Sequence, residues 1–137
     1  MKNFDVQSVL LQVPQDLAFT FIADGNLLPT WAQAFHTVSG RYALMRTPQG
    51  EIEIDLEIRA SAQNGTVDWV MTFPDKSVAV AYSRLVCLSQ ESCVFCFVLT
   101  PPPVPLEQLE GALQAQSKIL AEELLTLKEI IENRSVQ

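Results

Sequence analysis

Basic residues are few: nine lysines and arginines stand against sixteen aspartates and glutamates, a formal net charge of -7. Nucleic acid and anionic membrane surfaces both demand a basic footprint, so neither is expected as a partner. Long hydrophobic runs are also missing. The longest, Cys93 to Leu99, has the length of a strand and falls far below the roughly 18 residues of a membrane span. The opening MKNFDVQSVLLQ lacks the basic start, apolar stretch and small-residue cleavage site of a secretory signal. Three cysteines cannot close a disulfide framework, so a reducing compartment, and with it a cytoplasmic location, is expected. Neither a cofactor nor a metal is expected. What the chain does have is apolar content. At 48% hydrophobic and 18% charged over 137 residues, one domain spanning 1–137 can bury a real core.

The sequence changes rhythm twice. A short strand-like stretch from Phe4 to Val9 is followed by helical text opened by Pro14, whose missing N–H costs nothing in a first helical turn. Leu17, Phe19 and Phe21 are expected on the buried side of that helix. Asp24 stands where an N-cap belongs, ready to accept the orphan N–H groups of a second short helix that Pro29 limits.

Residues 37–100 read as a meander of strands. Glu51 to Arg59 alternates strictly, with Ile52, Ile54, Leu56 and Ile58 on one face and Glu51, Glu53, Asp55 and Glu57 on the other. The acidic row is expected to be a solvated surface. Asn64-Gly65, Pro74-Asp75 and Gln90-Glu91 read as two-residue turns. Together they set Ile58 opposite Met71, Trp69 opposite Val80, Val67 opposite Tyr82, and Arg84 opposite Phe97. The inner face then includes Tyr82, Arg84 and Val86. The outer face holds Ala79, Ala81, Leu85, Cys87, Val94, Cys96 and Val98, broken only by Ser83. Thr47-Pro48-Gln49-Gly50 reads as a type I turn with a bulge glycine, which puts Tyr42, Leu44 and Arg46 inside; a two-residue loop would turn Arg46 outward.

After Pro101-Pro102-Pro103-Val104-Pro105 the text is helical to Arg134. Leu106, Leu109, Leu113, Gln116, Leu120, Leu124, Leu127 and Ile131 recur at helical spacing. About 30 residues at 1.5 Å each would span about 45 Å, enough to cross a small sheet.

Phe21-Ile22-Ala23-Asp24, Asn26-Leu27, Pro29, Trp31-Ala32 and Phe35 together resemble a segment of the polyketide cyclase/dehydrase family. That family lies in the START-related, pollen-allergen-like superfamily (SRPBCC). Thr47-Pro48, Gly50, Gly65-Thr66-Val67-Asp68 and Glu123-Leu124-Leu125 with Leu127-Lys128 are similar to its later segments. The resemblance implies an α+β helix-grip fold. In it, a curved antiparallel sheet of six or seven strands wraps a long C-terminal helix, with two short helices after the first strand and a cavity between sheet and helix. Members bind lipids, polyketides or plant hormones, close rings, or serve as chaperone-related modules. No universal catalytic motif transfers.

In such a cavity Ile54, Trp69, Met71, Phe95 and Phe97 are expected to form the apolar wall, with Tyr82, Arg84 and Gln116 as polar points. Arg84 is the most telling, because a buried unpaired cation is very costly. It must pair with a carboxylate, reach water or meet an anionic ligand. His36, the sole histidine, and Tyr82 are the weak candidates for moving a proton; a histidine base needs a carboxylate partner and a substrate within reach. Cys93 and Cys96 have the spacing of a reactive pair, but strand alternation sends them to opposite faces, so they read as apolar thiols. The expected function is binding or transport of a small hydrophobic or amphipathic molecule of lipid, polyketide or aromatic type. The alternatives are a cyclase- or dehydrase-like enzyme and a protein-interaction module with a filled core. The apolar outer face of the strands near Leu85 and Val98 points to a homodimer.

Overall fold

A computed structural model describes residues 4–47, 50–100 and 106–135, with side-chain placements in the last helix from Leu113 to Arg134. In chain order the elements are β1 (Asp5–Leu11), α1 (Gln15–Ile22), a 3₁₀ segment (Gly25–Thr30), β2 (Phe35–Ser39), β3 (Tyr42–Thr47), β4 (Gly50–Ser61), β5 (Thr66–Thr72), β6 (Val78–Ser89), β7 (Ser92–Leu99) and α2 (Leu106–Ser135). The strands form one curved antiparallel sheet in the order β1-β7-β6-β5-β4-β3-β2. The helix-grip architecture is thus present, with seven strands and a 30-residue final helix.

Local chemistry explains the entry. Pro14 precedes α1, and Asp24 caps the 3₁₀ segment by accepting the Asn26 N–H at 3.0 Å. Because β1 and β2 lie on opposite edges of the sheet, α1 and the 3₁₀ segment must cross its inner side. On α1 the buried residues are Ala18, Phe21 and Ile22, whereas Leu17 is exposed and Phe19 half-buried.

The hairpins differ from the two-residue reading in an instructive way. Around Asn64-Gly65 the loop has four residues: Ser61 faces Thr66, and Ile58 faces Trp69 in place of Met71. That displacement is two residues, so every side chain keeps its face. At Pro74 the outcome is different. The Lys76 N–H donates to the Phe73 carbonyl, the Phe73 N–H donates to Ser77, both at 2.9 Å, and Lys76 has φ 74. This is a type I turn followed by a left-handed residue, an odd three-residue loop. It slips β6 by one residue, so Trp69 faces Ala81 and Met71 faces Ala79. All of β6 is therefore inverted. Ala79, Ala81, Ser83 and Leu85 point inward, while Val78, Val80, Tyr82, Arg84, Val86 and Leu88 point outward.

A second one-residue slip, between Cys87 and Ser89, returns β7 to its expected orientation. The Gln90-Glu91 turn itself stands, with Ser89 facing Ser92, and Cys93, Phe95 and Phe97 are buried inside. Thr47 faces Gly50, the register of a two-residue loop; Ala43 is buried, and Tyr42, Leu44 and Arg46 take the opposite side. Pro48 and Gln49 themselves lie outside the described residues.

Helix α2 buries Leu113, Leu120, Leu124, Leu127 and Ile131. Gln116 is exposed, and Ser117, one full turn after Leu113, takes the place expected for it. The Ser117 hydroxyl donates to Asp5 and accepts from the Gln7 amide at 2.9 Å. Further along, Lys128 Nζ reaches the Leu10 carbonyl at 2.8 Å, and Glu132 accepts the Gln12 N–H at 2.8 Å. The side chains of Leu106 and Leu109 and the run 101–105 lie outside the described residues. Among the described residues no helix is long and apolar enough to cross a membrane.

Candidate functional site

The centre of the inner face is a cluster of four rings. Trp31, delivered by the end of the 3₁₀ segment, meets Trp69 edge-on at 6.1 Å between centroids and Phe95 at 6.3 Å. Trp69 stacks on Phe97 at 5.7 Å, and Phe95 meets Phe97 edge-on at 6.3 Å. Aromatic pairs favour these offset and T-shaped arrangements, each worth about 0.5–1.5 kcal/mol beyond burial. Of the expected wall, Ile54, Trp69, Phe95 and Phe97 are buried here and Met71 is half-buried on the same face. Trp31 was not among the expected wall residues, because its place depends on how the 3₁₀ segment folds back over the sheet.

Beyond this cluster the inner face is incompletely covered. Met71, Phe73, Ala79, Ala81 and Leu99 are only half-buried, and Ala79 faces Met71 across the β5–β6 ladder. This strip is apolar, concave and borders the cluster. Two open depressions are also present. One of about 450 Å³ is bordered by Tyr42, Ile54, Asp55, Thr72, Phe73 and Lys76, so it meets the strip at Phe73, and one of about 230 Å³ lies beside α1 at Gln15, Phe19 and Ala62.

Two polar atoms in the interior stand out. The indole Nε1 groups of Trp31 and Trp69 are both buried with no hydrogen-bond partner. A donor left in that state costs about 1–3 kcal/mol, so each calls for a physical reason. Ser83, also buried, is satisfied, since its hydroxyl donates to the Val67 carbonyl.

Glu123 sits on α2 beside the 3₁₀ segment and accepts the Gln33 N–H. Burial pushes its carboxyl up to about 7, outweighing that hydrogen bond. The folded protein therefore holds a proton that the unfolded chain, with its ordinary carboxylate near 4.5, releases. Between those two values the folded state binds more protons, so stability falls as pH rises from about 4.5 to about 7. The loss is expected to be roughly 2 kcal/mol once the remaining solvent contact is counted. Glu123→Gln should remove that slope in urea titrations taken at several pH values; an unchanged slope would place its origin elsewhere.

The other expected site residues lie apart from this space. Tyr82 and Arg84 face outward on inverted β6 and are exposed, so the cation is solvated and its burial problem disappears. Gln116 is exposed on α2. His36 does contact a carboxylate, Glu51, but both are about half-exposed and the pair lies on the outer side of the sheet. There the acidic row is threaded by cations: Arg41 bonds Asp55 at 2.7 Å and Glu57 at 3.3 Å, and Arg59 also bonds Glu57. Their guanidinium partners hold the Asp55 and Glu57 carboxyls below the usual range. Cys93 is buried inside, where burial pushes its thiol up to about 11, and Cys96 is on the opposite face.

No family model matches the chain, and no curated protein matches it in sequence. Solved structures do match in shape. The protein XoxI from Bacillus cereus superposes with a TM-score of 0.70 at 14% identity, over 95% of this chain and 96% of its own. A START superfamily protein from Mycobacterium smegmatis gives 0.65 at 12% identity, over 96% and 99%. The di-domain ARO/CYC BexL, from the BE-7585A biosynthetic pathway, gives 0.71 at 12% identity over 96% of this chain and 47% of its own. Identities this low speak for shape alone: a curved seven-stranded sheet around a long last helix, the START-like helix-grip fold, which this chain shares with the ARO/CYC structure.

Proposed function

We propose that the protein binds a small hydrophobic or amphipathic molecule, of lipid, polyketide or aromatic type, between the sheet and α2. The observation that carries this reading is the half-buried apolar strip of Met71, Phe73, Ala79, Ala81 and Leu99, which continues the aromatic cluster on a concave face. Binding sites typically combine such a lining with a few placed polar groups. Ala79 and Ala81 put only small side chains on the strip, and both remain half-buried. A cyclase-like role for His36 or Tyr82 finds no support in this geometry, because both face away from the strip.

Native mass spectrometry with 1-tetralone, a flat bicyclic ketone, tests the proposal. One bound molecule per chain is expected, and Ala81→Phe, which fills the strip, should reduce binding at least tenfold. Arg84→Ala, on the other face of the same strand, should leave it unchanged. Loss of binding in the arginine variant, with retention in the alanine variant, would refute the assignment. The melting temperature of each variant separates a filled site from a damaged fold.

A second reading rests on the outer face of β1, β7 and β6. Val6, Leu10, Tyr82, Val86 and Leu88 are exposed there, flanked by Val94 and Val98. Leu85, which two-residue turns alone would put on this face, is buried inside. Arg84 is the one charge among the outward residues of these three strands, while the carboxylates collect on β4. For a chain of net charge -7, this is the surface on which two copies meet with least repulsion, and we propose a homodimer through it. Light scattering at tens of micromolar should give twice the chain mass, and Val86→Glu should halve it; a monomer throughout would remove this reading.

A further inference from the structure

The two unpartnered indole donors give the bound molecule a chemistry. Trp31 and Trp69 are each more than nine-tenths buried, their ring centroids are 6.1 Å apart, and neither Nε1 has an acceptor. They come from separate parts of the chain, one just after the 3₁₀ segment and one from β5, so a single local irregularity does not explain both. A protein interior tolerates a lone donor poorly, and two on adjacent rings call for an acceptor.

The surroundings narrow the acceptor's charge. Arg41, Arg46, Arg59, Arg84, Lys76 and Lys118 are exposed, Arg134 is exposed over the Phe21 ring, and Lys128 is occupied by the Leu10 carbonyl and Glu132. A carboxylate brought beside the indoles would find neutral donors and no buried cation among the described residues, and an unpaired buried anion is not sustained. A neutral carbonyl needs only N–H groups. Resting on the binding function proposed above, we infer that the interior beside Trp31 and Trp69 accepts the carbonyl oxygen of an uncharged, ring-bearing molecule. The indoles donate to that oxygen, and the stacked pair of Trp69 and Phe97 borders its ring system.

The chain has two tryptophans, so its two indole N–H signals in ¹⁵N-correlated NMR report on this place alone. They are assigned with Trp31→Phe and Trp69→Phe, which keep an aromatic ring and remove the donor. The probes are 1-tetralone and tetralin, which share a skeleton and differ by the carbonyl. At least one indole proton should move downfield with tetralone and not with tetralin. Tetralone should bind roughly tenfold more tightly, as one net hydrogen bond allows, and the corresponding Trp→Phe variant should erase that preference. If both probes bind equally with no downfield shift, the donor role is wrong and the binding function stands. If neither binds, both fall. If both indole protons show cross-peaks to a water that persists with tetralone bound, the donors belong to a structural water and the inference is overturned. Should one variant fail to fold, the downfield shift in the unmodified protein still decides.

Discussion

Gly65→Ala is expected to destabilise the protein by roughly 3 kcal/mol. Gly65 is buried at the end of the β4–β5 loop with φ 74, a backbone region that costs other residues about 1–2 kcal/mol. An added Cβ would also stand 2.5 Å from the Leu85 carbonyl oxygen and 3.0 Å from the Gln15 amide. The obstacle is backbone, so the strand must move, and moving it threatens the 2.7 Å bond from the Leu85 N–H to the Gly65 carbonyl. Gly40 provides the control. Its φ is 60 but a Cβ there meets nothing within 4 Å, so Gly40→Ala should cost only the conformational part. Urea denaturation of the two variants separates the terms; equal losses would show that the contact with Leu85 contributes nothing.

The largest loss is expected from Phe95→Ala, about 3–5 kcal/mol. Phe95 is fully buried, touches Trp31 and Phe97 edge-on, and faces Leu85 and Val9 across its two ladders. Removing it strips contacts from the whole ring cluster and leaves a cavity that the surrounding β-structure can only partly close. In a domain whose total stability is on the order of 5–15 kcal/mol, that is a large share. An apolar additive such as toluene should recover part of the melting temperature by entering the gap, as apolar cavities do. Read at high dilution, where the chain is a monomer, Val86→Ala supplies the contrast, because Val86 lies outward on β6 and should cost about 0.5 kcal/mol or less. The register drawn from two-residue turns alone would bury Val86 and reverse that expectation.

Much of this fold could be read from the sequence because its strongest signals are local. Strict alternation from Ile52 to Ile58 needs no partner to define a face. The run of leucines in α2 declares a helix of the length observed. Faces on β6 were harder, and the reason is specific. Its sequence, VAVAYSRLVCLS, is apolar at both parities, so alternation does not orient it. Orientation then depends on loop length, and Lys76 in a left-handed conformation carries no sequence signal of the kind glycine or asparagine gives. The second slip, near Cys87, likewise has no glycine to announce it. Since the two slips cancel on β7, Phe95 and Phe97 face inward in either register, and that agreement conceals the slips.

The candidate site inherited that inversion. Side-chain size gives the physical reason for the observed choice: Trp69 and Phe97 already fill the space on either side of β6, so Ala81 and Ser83 fit between them where Tyr82 and Arg84 do not. Trp31 could be seen in the family-like segment, but its role as a wall residue follows only from the crossing of the 3₁₀ segment beneath the sheet. The Gln116 and Ser117 exchange is a matter of one position, three residues after Leu113 against four, where polar character alone cannot choose.

If the concave strip, and not the apolar outer face, receives the small molecule, isotope-filtered NOE spectroscopy with 1-tetralone and methyl-labelled protein will show it. Contacts from the bound ketone to the methyl groups of Met71, Ala79, Ala81 and Leu99 are the expected result. Contacts confined to Val6, Leu10, Val86 and Leu88 would place the molecule on the outside of the sheet and contradict binding at the strip.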